Sequence, residues 1–399
     1  MTKWEEKKLG TLIDINPKTL SLKNAPQEIN YIDIASVTAG ILSGYSTISI
    51  QDAPSRARRI IKEGDTIFST VRPNLKAYYY VKNCPNHPIC STGFAVLRAK
   101  QGVSSRFIYS LVTESSFVNY LTLVAKGSTY PAVDTSDFAK AKVRVPDLPT
   151  QEKIADILSA YDDLIENNNK RIALLEKAAQ ELYKEWFVRF RFPGYENAKF
   201  ENGLPKGWER KKLGNYYTTC SGGTPNRSTT SFFTNGIYPW VKTGELKDNI
   251  IVQTEEKITK DAIKKSSAKL FPCDSIAMAM YGVNIGMLAY FDGIMSCNQA
   301  CCVFNDKRSF SSKHYLFQYM KSIREYLLLI SFGAAQQNLS QELIKKIKVV
   351  MPSDNLIILF EQQIEPIYKT IRSLLLKNIN LIKQRDLLLP RLMSGKLEV

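Results

Sequence analysis

The residues nearest to a reactive or metal-binding set are Cys84, His87 and Cys90, spaced C-x2-H-x2-C. A closed zinc site needs four ligands, and no second pair lies near them in sequence. Pro85 and Pro88 make the segment a stiff turn, so the expectation is no metal. Cys297, Cys301 and Cys302 sit in an apolar run and read as small core residues. His87 and His314 are the only histidines, which excludes an H-E-x-x-H zinc helix and leaves little from which to build a triad. No G-x-x-x-x-G-K-[ST] phosphate loop occurs, and no G-x-G-x-x-G turn follows a strand. The Asn/Asp-Pro-Pro-Tyr segment typical of amino-methyltransferases is also missing. Glu-x-Lys triplets such as Glu5-Glu6-Lys7 arise by chance and leave a nuclease reading open. On balance the side chains suit binding better than catalysis.

The binding chemistry they suit is that of a polyanion. Arg56, Arg58 and Arg59 form a dense cluster able to meet phosphates or guanine edges, or else to cap a solvated strand end. Arg72 and Lys76 flank Pro73 and Asn74 in a basic loop before Tyr78. Lys126, Ser128, Thr129 and Tyr130 surround Gly127 in a polar loop. Gln336, Gln337 and Asn338 stand in the matching place after Gly333, with amides suited to adenine or to backbone contacts. Lys242, Thr243, Tyr281 and Asn284 are further candidates, although Asn284 reads equally as a turn residue.

These candidates fall into two sets because the chain is duplicated. Trp4-Glu5-Glu6-Lys7-Lys8-Leu9-Gly10 returns as Trp208-Glu209-Arg210-Lys211-Lys212-Leu213-Gly214, 204 residues on. Gly127 and Phe138–Pro146 return as Gly333 and Ile344–Pro352 at an offset of 206, then Ile154 and Ile157 as Ile364 and Ile367 at 210. A slowly growing offset across three ordered matches indicates a tandem repeat of domain-sized modules. Each copy opens with short β-rich runs and amphipathic stretches, Phe107–Leu123 and Lys313–Ile330, which predicts a mixed α/β domain over 1–150 and again over 200–352.

A helical region follows each domain, over 151–199 and 353–399. Apolar residues at Ile154, Ile157, Tyr161, Leu164 and Asn168, and at Ile364, Ile367, Ile371, Leu374 and Asn378, predict a heptad seam on each of two long helices. The first seam needs one extra residue near Asn168. The two asparagines, 210 apart, either set register or accommodate a local irregularity. Thr150 is the expected N-cap of the first helix; Pro366 is expected early in the second and Pro390 at its end or at a kink. The helices are expected to pair antiparallel under a pseudo-twofold axis, as rods of about 50 Å at about 1.5 Å per residue. Leu182, Trp186 and Phe187 would form a partner-binding face or the packing at the domain junction.

Charge follows the same division. The chain carries a net +16, from 54 Lys and Arg against 38 Asp and Glu. The counts are 19 against 12 over 1–150, 8 against 9 over 151–199, 20 against 12 over 200–352, and 7 against 5 over 353–399. The excess therefore lies in the α/β domains, as expected if two domains meet one long polyanion, and duplex DNA suits a spaced pair. No apolar run reaches the roughly 18 residues of a membrane span. The opening residues are not a signal peptide, and seven cysteines without a framework spacing fit a reducing compartment. A cytoplasmic location is the expectation.

Over nearly its full length the chain resembles the specificity (S) subunits of type I restriction–modification systems. The resemblance is carried by Trp4…Lys8-Leu9-Gly10, Gly64-Asp65-Thr66-Ile67-Phe68-Ser69-Thr70-Val71-Arg72-Pro73 and Ser91-Thr92-Gly93-Phe94. In the second copy it is carried by Tyr238-Pro239-Trp240-Val241, Tyr281-Gly282…Ile285-Gly286, Asn298-Gln299-Ala300 and Gly333–Ser340, and at the end by Arg385–Gly395. It implies a non-catalytic DNA reader with two target recognition domains, one for each half of a split, asymmetric site. It implies helices that space those domains and scaffold two methyltransferase (modification) subunits, joined by restriction/translocase subunits. S-adenosylmethionine, ATP and magnesium would then belong to the partners, and none to this chain. A coiled-coil adaptor that binds no DNA, and a stand-alone nuclease or methyltransferase, are the alternatives.

Overall fold

The computed structural model describes residues 4–331 and 338–399. The repeat appears in it as one local scaffold made twice. Glu5–Lys8 pairs antiparallel with Lys142–Val145, and Glu209–Lys212 with Lys348–Met351, each through four partners in register. Leu9 and Leu213 follow, both fully buried. Their amides donate to Ala141 O (2.8 Å) and Ile347 O (2.7 Å). Gly10 and Gly214 come next because the chain there runs against a helix: an added Cβ would lie 3.0 Å from Ala139 Cβ or Lys345 Cβ. The recurring Leu-Gly pair is thus a burial site followed by a close backbone approach.

The first copy has an antiparallel sheet ordered Ile13–Ile15, Phe94–Ala99, Thr66–Ser69, Tyr78–Tyr80. A mixed sheet runs Ser46–Ser49, Glu28–Ile32, Pro88–Ser91, Ala57–Ile60, its central pair parallel. In the second copy Tyr217–Ser221, Cys301–Asp306, Ile276–Ala279, Leu288–Phe291 and Asn249–Ile251 form a five-stranded sheet. Glu256–Ile258, Tyr238–Val241 and Ser296–Cys297 form a three-stranded one, again with a parallel pair. Central strands such as Phe94-Ala95-Val96-Leu97 are buried on both faces, so they read as unbroken apolar runs. Tyr78 and Tyr79 alternate as a strand requires, Tyr78 packing with Phe68 and Phe107, Tyr79 with Ile67 and Cys90.

Neither amphipathic stretch is one helix. The first divides into Ser105–Thr113 and Ser115–Val124 at Glu114, which is extended (ψ 142°) and whose carboxylate accepts from the Ser116 amide. The second divides at Ile323 into Lys313–Ser322 and Arg324–Ser331.

The long helices run Leu148–Phe187 and Asp354–Met393, 40 residues each. The first is capped by Asp147, not Thr150: the Thr150 amide donates to Asp147 Oδ1 at 3.1 Å, and Pro149 fits in the first turn, where an amide is not needed. It ends at Phe187, within the 151–199 region. Phe190 then adopts a left-handed φ of 57°, and Phe200–Glu201 pairs with Leu204–Pro205 as a short hairpin. Pro366 lies in the interior of the second helix, and Pro390 lies before its end; the helix continues through both.

The buried seam of the first helix differs from the sequence expectation. Ile157 and Leu164 are 37% and 51% exposed, while Leu158 and Ile165 are buried. With Ile154, Leu158, Tyr161, Ile165, Asn168, Ile172, Leu175 and Ala179 the spacing is a strict alternation of four and three, and no extra residue is needed. Ile157 and Leu164 are themselves seven apart and equally apolar, so the sequence holds two competing rows. In the second helix Ile364, Ile371, Leu374 and Asn378 are buried, and Ile367 is half-buried.

Packing divides the chain into two units, Met1–Asn167 with Asn378–Val399, and Asn168–Lys377. Each unit therefore contains one α/β domain and half of each long helix, instead of leaving the helices as separate domains. In the first unit Leu392 and Met393 join Ile154 and Leu158 in the core, and Arg385 meets Asp162 at 2.7 Å. In the second, Ile172 packs on Ile371 and Leu374, and Tyr183 on Phe360. Within each unit the two helix halves thus run antiparallel. Trp186 and Phe187 are core residues here: Phe187 lies 4.9 Å from Tyr315 and 4.8 Å from Phe360, ring to ring, and Leu182 packs against the same cluster. They do not form a partner surface.

The seam makes a direct prediction. Leu158→Asp buries a charge in the first unit's core and should destabilise by at least about 3 kcal/mol. Leu164→Asp should stay within about 0.5 kcal/mol. Chemical denaturation of the two variants measures the contrast; equal losses would place both residues in the core.

Candidate nucleic-acid interface

In the first unit, backbone hydrogen bonds tie five loops into one ledge. Thr92 N donates to Arg56 O (2.8 Å), Thr70 N to Gly93 O (2.8 Å), and Val133 N to Thr70 O (2.9 Å). Arg72 N donates to Pro131 O (2.7 Å) and Ala39 N to Lys76 O (2.8 Å). Arg56, Arg72, Lys76, Lys126, Ser128, Thr129 and Tyr130 are all exposed on the loops so joined. Arg72 has a second task. Its Nη2 donates to Thr129 O at 3.1 Å and its guanidinium lies 4.8 Å from the centre of the Tyr130 ring, so it braces the Gly127 loop. Lys126 pairs with Asp134 at 3.4 Å, but both are well exposed and the pair contributes little.

The arginine cluster does not act as one patch. Arg58 and Arg59 lie on the strand Ala57–Ile60 and are half-buried. Arg58 Nη1 donates to Ala57 O at 2.8 Å, and Arg59 Nη1 reaches Thr19 Oγ1 at 3.5 Å. Consecutive strand residues face opposite ways, so Arg58 and Arg59 do not share a face, and Arg56, before the strand, is the one exposed member of the cluster.

The second unit repeats the frame with different side chains. Met280 N donates to Ala300 O (2.8 Å), Leu339 N to Met280 O (2.8 Å), and Asn298 N to Val241 O (3.0 Å). Met280, Ala300 and Leu339 thereby take the places of Thr70, Gly93 and Val133. Tyr281 bridges the exposed Asn338, while Gln336 and Gln337 lie outside the described residues. Lys242 is not a free cation. It donates to Glu255 (2.6 Å) and Glu256 (3.1 Å), and these bonds push its pKa up. Arg227 also pairs with Glu256, lowering that carboxyl, and lies 4.8 Å from the Trp240 ring centre. Thr243 is half-buried, and Asn284 is a turn residue: its Nδ2 donates to Thr243 O (3.0 Å) and Leu246 O (3.3 Å).

Two residues that sequence spacing does not single out join this ledge. Thr224 Oγ1 hydrogen-bonds Gln299 Oε1, and Gly223 N donates to Cys297 O at 2.8 Å, which seats their loops together. Gln299 was visible in Asn298-Gln299-Ala300; its pairing across 75 residues was not.

Cys90 is buried in the strand Pro88–Ser91, whereas His87 is exposed at a left-handed turn (φ 49°). Among the described residues no group of three or more His, Cys, Asp or Glu is placed to hold a metal ion, and no helix is long and apolar enough to cross a membrane.

The type I restriction modification DNA specificity domain matches this chain twice, over residues 1–177 and 205–387. The type I restriction enzyme HindI specificity subunit of Haemophilus influenzae is 24% identical over 100% of both chains. The MjaIX specificity subunit of Methanocaldococcus jannaschii is 29% identical over 86% of this chain and 79% of its own length. In fold, the chain is similar to the crystal structure of the type I restriction-modification S subunit from M. genitalium, with a TM-score of 0.54, 14% identity and 96% of each chain covered. With both copies matched over most of its length, the chain belongs to the DNA specificity subunits of type I restriction–modification systems.

Proposed function

We propose that each unit reads one half of a bipartite, asymmetric DNA site through its ledge, and that the chain assembles with two methyltransferase subunits and with restriction/translocase subunits. The observation that carries this reading is the repeated frame: the same backbone bonds hold Thr70, Gly93 and Val133 in one unit and Met280, Ala300 and Leu339 in the other. Most side chains on the frame differ. Basic Arg56, Arg72 and Lys76 line one ledge, and polar Thr224, Gln299 and Asn338 line the other. A conserved geometry with divergent donors and acceptors suits two readers of different base sequences, because bases are told apart by the pattern of groups at their edges. As a specificity subunit the chain is non-catalytic. Binding of S-adenosylmethionine, ATP and magnesium is assigned to the partner subunits.

The helix residues left out of the seam supply the docking surface. In the first unit Ile157, Leu164, Ile382 and Leu387 are 37%, 51%, 38% and 66% exposed; in the second, Leu174 and Leu376 are 67% and 40% exposed. Exposed leucines on otherwise charged helices are what a partner helix can bury. One such face in each unit would accommodate the two methyltransferase subunits.

Methylome sequencing of a host with and without this gene tests the reading. One bipartite methylated motif should disappear with the gene; unchanged methylation in a host that carries the partner subunits would contradict it. For the docking faces, Leu164→Asp with Leu387→Asp, both in the first unit, should cut the co-purifying methyltransferase from two subunits to one while the chain's melting temperature stays within a few degrees of wild type. Full recovery of the partners would move the docking surface elsewhere.

A further inference from the structure

One feature of the ledges is absorbed by neither base-edge hydrogen bonding nor phosphate contact. The strands Thr66–Ser69 and Ile276–Ala279 lead into turns that match residue for residue at an offset of 210. Arg72 and Lys76 bound the first turn with φ of 48° and 56°, and Gly282 and Gly286 bound the second with φ of 87° and 78°. Asn74 and Asn284 sit at the centres. Leu75 N donates to Arg72 O (2.9 Å) and Ile285 N to Gly282 O (3.2 Å), closing the same local ring. Neighbouring loops anchor both turns, through Ala39 N to Lys76 O in one and through the Asn284 amide in the other. In the first unit the left-handed positions are filled by non-glycine residues, a conformation that costs about 1–3 kcal/mol each and persists only where the surroundings enforce it.

Each of these enforced turns directs one aliphatic side chain inward and one outward. Pro73 is buried while Leu75 is 60% exposed; Ile285 is buried while Val283 is fully exposed, at 101%. The outward residue thus changes place between the copies, but each turn presents one. Leu75 adjoins Lys76, and Val283 lies between Tyr281 and Asn284, so both project from the ledges that carry the candidate DNA contacts.

We infer that Leu75 and Val283 read the 5-methyl group of thymine in the major groove, one in each half-site. The inference rests on the reading that the ledges face DNA. An aliphatic side chain has no donor or acceptor with which to tell base edges apart, and the thymine methyl is the one apolar group those edges present in the major groove. A wedge inserted between base pairs is the other role known for apolar residues on DNA. Phe, Leu, Ile, Met and Pro serve as such wedges and valine does not, so a wedge does not account for Val283, and the matched turn gives Leu75 the same role.

The test uses the reconstituted complex and duplexes carrying its methylome-defined site, with thymines replaced singly by uracil, which lacks only the methyl. For the wild-type complex, one substitution in the half-site of the second domain should weaken binding about four-fold, the value of one buried methyl group. For Val283→Ala the same substitution should change affinity less than two-fold. Leu75→Ala should behave likewise in the other half-site. Val283 is fully exposed, so the variant has no core contact to lose. Indifference to every uracil, a half-site without thymine, or an equal loss on thymine and uracil duplexes with Val283→Ala would overturn the inference while leaving sequence-selective binding intact. A complex that selects no sequence at all would overturn the underlying reading instead.

Discussion

Everything on the two ledges depends on how the chain closes behind them. A strand-end residue in each unit, Thr70 or Met280, donates its amide to the loop before one neighbouring strand and accepts at its carbonyl from the segment before a short helix. Both bonds use backbone atoms alone, so they constrain the path of the chain and place no demand on side-chain identity. Such a frame can keep its geometry while the residues on it change. That separation between a fixed frame and free side chains is what a module needs if its copies are to read different sequences.

The helices contribute to the same end from within the cores. Half of each helix completes one unit: Leu392 and Met393 close the core of the first, and Tyr183, Trp186 and Phe187 that of the second. Polar contacts reinforce this at the helix surface. Lys82 reaches Asp163 (2.6 Å) and Glu166 (2.8 Å), so a loop of the first α/β domain is tied to the first helix. In the second unit Glu361 accepts from the amides of His314 and Tyr315, both at 3.0 Å, at the start of a domain helix. An α/β domain excised without its helix halves would expose these apolar surfaces.

Much of this was legible in the residues. The Leu-Gly repeat and the second seam are both local or periodic signals, and each corresponds to a pattern that burial and register enforce. The first seam was misphased because Ile157 and Leu164 form a competing heptad row, and only contact with a neighbour decides which row is buried. Trp186 and Phe187 could not be assigned to core or surface for the same reason. The candidate loops are more legible than their side chains: Arg72, Lys76 and Tyr130 share one ledge, yet Lys242 and Asn284 turn to Glu255, Glu256 and backbone carbonyls. Those partners come from elsewhere in the chain, and sequence spacing carries no record of them.

The central claim is that the two units read separately, each through its own ledge. Replacing residues 1–150 with the corresponding domain of another specificity subunit, followed by methylome sequencing of the host, tests it most directly. The account predicts a new bipartite motif in which one half has changed and the other is retained. A change in both halves would contradict it.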